Sequence, residues 1–600
     1  MNRENIIETR IMFGVVSLLV CSVALQVSGA EMMTVSAPAH EETFAMRGLL
    51  PWHNFLCGPS GWNEEDYKKY LDGMKTRGLN LVVFHNYTGG AQRYHTYVEP
   101  MIRVSGFDVL PDATFDTSLT ARWGYRPLRV ADFAFGTSRL FRLPPGAEAF
   151  GADCMLTATS NAERYEKAQA LMRKVMEMAH ERGIQFAMGF EFGVHPPEYA
   201  SVLPQDAILQ HNGVILKPEA AAARLLLYNT IDDILSAYPA VDQIWLWQQE
   251  HSFFAPGDHC WTETYIRLAY DHIRKRAPNV RVVISGWGGG KQLPDLLVHL
   301  DKSLPQDIVF TCLNPGGGTL PHVAVLAEIA KHRTVWAIPW LEHDGSMWHL
   351  QMSVDTILKN VRKARADRLQ GVISLHWRTE EVRASLDAFA LAANDPDHIR
   401  SVEKFYADYC SREYGKVAEK ELSSLLAKMD CDGWLSGVSS PEFYPYDPCT
   451  WGMLGNEQRE RIRAALATVE KVCQKSNREQ YKANLQWLAD NLRFFLQLEE
   501  VGRKMQPALG LRNRRLNGQV GGDALQTELA AARKVLDEVP LRELFETYAR
   551  RVRSRGELGI LSSLNQRLWL QYRELNRFLD DVTALEASDN TNHNKFLRST

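Results

Sequence analysis

Cysteine, surplus charge and long apolar runs are what this sequence has least of. Its nine cysteines fall in no C-x-x-C pair, which argues against zinc ribbons and thiol redox motifs. Cys431 and Cys449 bracket one loop, either as a disulfide in an oxidising compartment or as two separate thiols. The formal net charge is −4, so no basic surplus directs the chain to nucleic acid or to an anionic membrane surface. Glycines cluster at Gly286–Gly290 (GWGGG) and at Gly316–Gly318, without the spacing of a nucleotide fingerprint, and a turn role is expected for both. No nucleophile elbow of the Ser-His-Asp type is present. The histidines form no tight cluster, so neither a metal nor a cofactor is expected.

One apolar run stands apart. Ile11 to Leu25 has the length of a signal-peptide core and is short for a bilayer span. Ser28-Gly29-Ala30 follows, so cleavage before Glu31 is expected, with an exported product, periplasmic or secreted, and no stable membrane span. Cys21 invites a lipoprotein reading, but Val20 before it is larger than the usual small residue. The length of 600 residues suits a large catalytic domain plus a second domain.

What is present is organised around Val241 to Glu250, VDQIWLWQQE. Its apolar and aromatic half reads as a strand buried on both faces, and it stops at Gln248, Gln249 and Glu250. A carboxylate close behind buried tryptophans must be paired or used. The same kind of strand ending recurs. Strands are expected at Arg47–Phe55, Leu79–Phe84, Ile184–Phe190, Val241–Trp247, Val280–Ser285, Asp307–Leu313, Thr334–Trp340 and Gln370–Leu375. Helices alternate with them, from Asn63–Arg77 to Glu380–Ala393. Such alternation implies parallel strands with right-handed crossovers, and eight repeats close a (β/α)₈ TIM barrel over residues 47–395. Residues 88–160 break the rhythm and read as an insertion over one rim. From Asp397 the strand signal disappears, and residues 397–590 read as an all-α C-terminal domain. Its aromatic loop, Cys431 to Gly455, is expected either to lean over the barrel mouth or to pack on its own helices.

In such a barrel the C-terminal strand ends share one mouth. The candidates there are His53, Asn54, His85, Asn86, Glu191, Trp247, Gln249, Glu250, Trp287, Asn314, Trp340, Glu342, His343, Asp344, His376, Trp377 and Arg378. Together they offer carboxylates for acid/base work, amides and imidazoles for hydroxyl groups, and flat indole faces for sugar rings. Glu250 ends the fourth strand and Glu342 the seventh, a pair suited to glycoside hydrolysis, with Asp344 as the alternative to Glu342. Arg378 could hold a carboxylate or sulfate on the substrate, or pair with Glu342, Glu380 or Glu381 instead.

The placement of Glu250 and Glu342 resembles the 4/7 superfamily of (β/α)₈ glycosidases, which implies Glu250 as acid/base and Glu342 as nucleophile. That superfamily usually carries Asn before its acid/base, and Gln249 stands here. Arg47 to Trp52, YKKYLDGMKTRGLN (Tyr67 to Asn80) and FYADYCSREYG (Phe405 to Gly415) resemble barrel glycosidases with a helical C-terminal domain, of α-glucuronidase or α-N-acetylglucosaminidase type. The likeness to β-hexosaminidases is weaker, because their Asp before the acid is Gln249 here. The expectation is an exported glycoside hydrolase acting on a carbohydrate, possibly an anionic one. Two alternatives stand beside it. One is a non-catalytic carbohydrate-binding barrel; the other is a uronate-polymer lyase working through His376 and Arg378.

Overall fold

A computed structural model describes residues 43–53, 57–88, 101–103, 128–141, 149–150, 152–195, 197–210, 214–248, 258–288, 293–395, 401–438 and 454–599. The signal segment, Asn54, Gln249, Glu250, Cys449 and most of the aromatic loop lie outside the described residues.

Eight parallel strands close a barrel: β1 (Met46–Pro51), β2 (Leu81–Asn86), β3 (Gln185–Glu191), β4 (Gln243–Trp247), β5 (Arg281–Ser285), β6 (Val309–Leu313), β7 (Val335–Ile338) and β8 (Gly371–His376). Each pairs with its neighbours in chain order, and β1 closes the ring against both β2 and β8. The strands are buried almost throughout because one face meets the barrel axis and the other the helices, which is why they read as apolar runs. Trp245 meets Trp336 across the barrel at 5.9 Å, identifying the face that carries Trp245 and Trp247 as the interior. Gly189 makes room there: a Cβ on it would lie 2.8 Å from Trp247 Nε1 and 3.0 Å from Trp245 Cβ.

The outer layer is α1 (Glu64–Thr76), α2 (Asn161–His180), α3 (Ala221–Ala237), α4 (Asp258–Arg276), α5 (Leu293–Ser303), α6 (Val325–Ile329), α7 (Val354–Ala366) and α8 (Arg383–Asn394). Local chemistry sets several starts. Asn63 and Asp66 form a capping box on α1, and Ser160 accepts from the Glu163 amide at the head of α2. Helix α6 is shorter than the expected 322–332. His322 pairs with Asp367 at 2.8 Å, and Arg333 donates to the Leu304 and Ile308 carbonyls. A three-stranded sheet (Val194–His195, Val214–Leu216, Ile208–Gln210) follows β3, an element the alternating pattern does not signal.

The C-terminal region is helical: α9 (Val402–Glu413), α10 (Lys416–Cys431), α11 (Asn456–Lys475), α12 (Glu479–Leu516), α13 (Gly522–Asp537), α14 (Leu541–Arg551), α15 (Arg555–Leu564) and α16 (Leu570–Ser599). The single helix expected over 541–585 is divided, because Ser554 and Glu557 form a second capping box that starts α15 afresh. A π-helical turn, Asn565–Trp569, then leads into α16. These helices pack directly on the barrel loops. Trp348 Nε1 donates to Ser563 Oγ at 2.9 Å, Arg555 Nε to the Gly61 carbonyl at 2.9 Å, and the Ala134 amide to Asn565 Oδ1 at 2.7 Å. The described part of the insertion therefore leans on the helical region, and residues 43–600 form one compact unit. No helix among the described residues is long and apolar enough to cross a membrane.

Candidate active site

Side chains alternate along a strand, so the interior face established by Trp245 continues to the strand ends. There it presents Trp52 just past β1, His85 on β2, Glu191 on β3, Trp247 on β4, Trp287 past β5, Trp340 past β7 and Trp377 past β8. Glu191 is the only carboxylate within the eight strands.

The rings are mutually braced. Trp52 stacks on His85 at 4.2 Å with an 18° interplanar angle, and meets Trp247 and Trp287 edge-on, each at 5.6 Å. His85 is edge-on to Trp247 at 4.9 Å, and Trp340 to Trp377 at 5.8 Å. Tyr87 completes the cluster against Trp52 and His85. Trp287 and Trp340 are half-buried, the others buried. The indole N–H groups of Trp247, Trp287 and Trp340 are buried and donate to no protein acceptor among the described residues. Buried donors without partners are uncommon and point to groups that a ligand or solvent satisfies.

His85 Nε2 lies 3.8 Å from Glu191 Oε1. Burial, with a smaller contribution from His53, holds the His85 imidazole well below its ordinary pKa, and burial pushes His53 down to about 3. Both rings are neutral near pH 7. Glu191 is itself 4% exposed, its carbonyl accepts from Thr88 Oγ1 at 2.6 Å, and it lies level with Trp247 in the β3–β4 pairing.

Glu342 lies past β7 and is tied to Arg378. Its side chain is 0% exposed, and both oxygens are committed. Oε1 accepts from the Trp377 and Arg378 amides at 2.8 and 2.6 Å, and Oε2 from Arg378 Nε at 2.6 Å. A carboxylate so held has both oxygens engaged in charge-assisted bonds. Arg378 is equally consumed. Its Nη1 donates to the Met347 and His349 carbonyls, each at 2.7 Å, and lies 3.9 Å from Glu381, which accepts from Tyr548 and Arg551 of α14. The pair is the barrel end of an ionic chain into the helical region, with Arg378 Nη2 buried and without an acceptor among the described residues.

Other expectations change for reasons of side-chain parity. Asn86 sits on the outward series of β2, donating to the Gly189 carbonyl at 2.9 Å. His376 also faces outward, with Nδ1 donating to the Arg378 carbonyl at 2.9 Å, so that Nε2 accepts from Tyr70 of α1 at 2.7 Å. The two groups a lyase would need are therefore outside the mouth or already paired. Asn314 donates to the Leu320 carbonyl at 3.1 Å and braces the turn after β6. In that turn Gly316, Gly317 and Gly318 all have positive φ (63°, 61° and 79°), a conformation that favours glycine, so the turn role holds. A Cβ on Gly317 or Gly318 would also strike His343 or Trp340. Asp344 opens a short turn beyond β7, 35% exposed and 3.4 Å from His343 Nδ1. Trp52 and Tyr87 were not among the expected site residues; β1 ends earlier than its apolar run suggests, leaving Trp52 just past it, and Tyr87 directly follows β2.

Among the described residues no three His, Cys, Asp or Glu side chains are grouped to hold a metal ion. A cavity of about 860 Å³ lies away from the mouth, lined by α1, α8, α9 and α15. Its charges satisfy one another: Arg77 with Asp387 at 2.7 Å, Arg383 with Glu413 at 3.5 Å, Arg555 with Asp66 at 3.4 Å, and Arg412 with Asp387. It offers no unbalanced group to a ligand.

The architecture is that of a (β/α)₈ barrel with a helical C-terminal region. No protein-family model matches the chain, and no curated protein matches it. Solved structures similar to it include glycoside hydrolases. A GH138 enzyme targeting pectin rhamnogalacturonan II is 12% identical, with a TM-score of 0.45 over 85% of this chain and 62% of its own. The O-GlcNAc hydrolase of Thermobaculum terrenum is 11% identical, with a TM-score of 0.41 over 91% of this chain and 97% of its own. A family GH115 4-O-methyl-α-glucuronidase is 10% identical, with a TM-score of 0.46 over 86% of this chain and 62% of its own. This chain thus spans under two thirds of the length of the first and third.

Proposed function

We propose that this chain is an exported glycoside hydrolase acting at the C-terminal mouth of its barrel. One observation carries the reading. A cluster of tryptophans, three of whose indole N–H groups find no acceptor among the described residues, lies at the strand ends together with the single carboxylate of the strands. Indole faces match the apolar faces of a pyranose, while the N–H edges and a carboxylate take its hydroxyl groups. Such a surface binds a neutral sugar. With Arg378 consumed by Glu342, the group on which an anionic substrate rested is withdrawn.

Glu250 follows β4 directly in the sequence, and we assign it the proton donor's part: protonating the glycosidic oxygen as the bond to the anomeric carbon breaks. The test is a panel of aryl glycosides of different sugars and both anomeric configurations. Glu250→Gln is expected to lower turnover by about 10²–10⁴-fold on substrates with poor leaving groups, and far less where the leaving group needs no proton. Equal activity of variant and wild type on every substrate would remove Glu250 from the mechanism. A wild-type protein that binds monosaccharides but turns over no glycoside would make the chain a carbohydrate-binding barrel.

A further inference from the structure

We propose that Ser285 and Thr311, inside the barrel on β5 and β6, are specificity-determining residues that, with the indole N–H of Trp247, read hydroxyl groups of a neutral sugar. The inference rests on the hydrolase reading above and deepens it.

The strand register brings the three together. Ser285 pairs with Trp247 across β5 and β4. The β5–β6 pairing sets Val283 beside Val309 and Ile284 beside Phe310, and one step further along it stand Ser285 and Thr311. Thr311 in turn pairs with Trp336, whose ring meets Trp245 across the barrel, so this row faces the interior. Trp247 and Ser285 are the last residues of their strands. Trp287, half-buried, follows Ser285 by two residues, one inward step nearer the mouth.

All three side chains are buried, and Trp247 Nε1, Ser285 Oγ and Thr311 Oγ1 meet no hydrogen-bond partner among the described residues. Interior packing alone does not account for this, since a buried donor or hydroxyl without a partner forfeits the bonds it made in water. The opposite end of the same interior shows the contrast. There Trp245 Nε1 donates to Gln243 Oε1 at 3.0 Å, and Gln243 Nε2 to Gln185 Oε1 at 2.7 Å. Inward polar groups toward the strand starts satisfy one another; those of the upper row do not. The asymmetry points along the barrel toward the mouth, where the binding groups of this architecture gather.

The chemistry of the row names the ligand class. An indole N–H only donates, whereas a hydroxyl side chain both donates and accepts. None of the three carries charge, so a carboxylate or sulfate seated on them would lose its hydration without gaining a counter-charge. A neutral hydroxyl group meets both needs, accepting from Trp247 and exchanging a bond with Ser285 or Thr311. These two stand on neighbouring strands about 4.8 Å apart, so two hydroxyl groups of one ring can be held at once.

The test pairs deletions in the protein with deletions in the substrate. The substrate is the aryl glycoside that the panel above identifies, together with its monodeoxy analogues. The variants are Ser285→Ala, Thr311→Val, which matches threonine in shape, and Thr311→Ser, which keeps the hydroxyl. Thr311→Val is expected to lose about 10-fold in kcat/KM on the parent glycoside, and Thr311→Ser to stay within about threefold of wild type. On the one analogue lacking the hydroxyl that Thr311 reads, wild type and Thr311→Val should be equal, while the other analogues keep the difference. Ser285→Ala should single out a hydroxyl in the same way. Tm should hold or rise in Thr311→Val, because the hydroxyl removed bonds nothing among the described residues. Losses below about twofold in both Ser285→Ala and Thr311→Val, or losses equal on the parent and on every analogue, would overturn the assignment while the hydrolase reading stands. A lowered Tm with the loss spread over all analogues marks a hydroxyl needed for the fold and overturns it too. If the wild type cleaves no glycoside, the hydrolase reading falls, and titration calorimetry with the free monosaccharides and their deoxy analogues decides the row. A weaker affinity in Thr311→Val, tied to one hydroxyl, then upholds the assignment. Equal affinity of variant and wild type, or no binding by the wild type, overturns it.

Discussion

Replacing Arg378 by Met probes the buried ionic chain that joins the mouth to the helical region. Arg378 and Glu342 are both 0% exposed, and the guanidinium also holds two backbone carbonyls. The substitution leaves Glu342 charged in the interior with only the Trp377 and Arg378 amides for partners. Breaking one side of a buried pair typically costs about 3–5 kcal/mol, most of it the uncompensated charge. An unfolding entropy of roughly 2.1 cal/mol/K per residue, taken over the folded unit Thr43–Thr600, amounts to about 1.2 kcal/mol/K, so Tm is expected to fall by about 3–4 °C. Scanning calorimetry of wild type, Arg378→Met and the Glu342→Leu/Arg378→Met double variant measures this. The double variant should recover most of the loss, because it removes both charges together. A drop of under about 1 °C in the single variant, or a double variant worse than the single, would refute the burial and pairing described for Glu342 and Arg378.

Two further outcomes are expected. Burial holds His53 and His195 at about 3, His349 and His376 at about 4, and His85 well below its ordinary value, so the unfolded chain binds more protons below pH 6.5. Stability contributed by these groups is complete above that pH and is lost as pH falls toward 3–4, each histidine adding a slope of about 1.4 kcal/mol per pH unit. Asp233 and Asp430, raised to about 6, and Glu557, raised to about 8, take up protons in the folded state and offset part of it. The histidines outnumber them, so Tm should fall between pH 7 and pH 5; a flat or rising profile contradicts this. Gly189→Ala places a methyl 2.8 Å from Trp247 Nε1 and should cost about 1–3 kcal/mol. It should also change the near-ultraviolet circular dichroism of the tryptophan cluster, and an unaltered spectrum and Tm would show that the interior is looser than described.

The barrel was legible because parallel strands buried on both faces read as apolar runs. Their alternation with capped helices also admits few topologies. Observed strands differ from expected ones mainly at their ends, as at Trp52, where the apolar run outlasts the hydrogen bonding. The mouth was only partly legible. A list of strand ends does not say which residues face the axis, since that depends on one parity choice per strand. Trp247, His85 and Glu191 fall on the inward series, Asn86 and His376 on the outward one. The pairing of Glu342 was not legible for a different reason. Its fate is decided by Arg378, 36 residues away in sequence, and by α14, whose Arg551 and Tyr548 reach Glu381 beside it. No local pattern carries that information. The division of the helix expected over 541–585, by contrast, was written in the capping pair Ser554 and Glu557.

A crystal structure of the protein soaked with the monosaccharide product of its preferred aryl glycoside tests the location of the site most directly. The sugar is expected at the C-terminal mouth, against the half-buried rings of Trp287 and Trp340. A sugar held instead in the charged cavity between α1 and α8, or placed against Glu342 with the Arg378 pair opened, would contradict it.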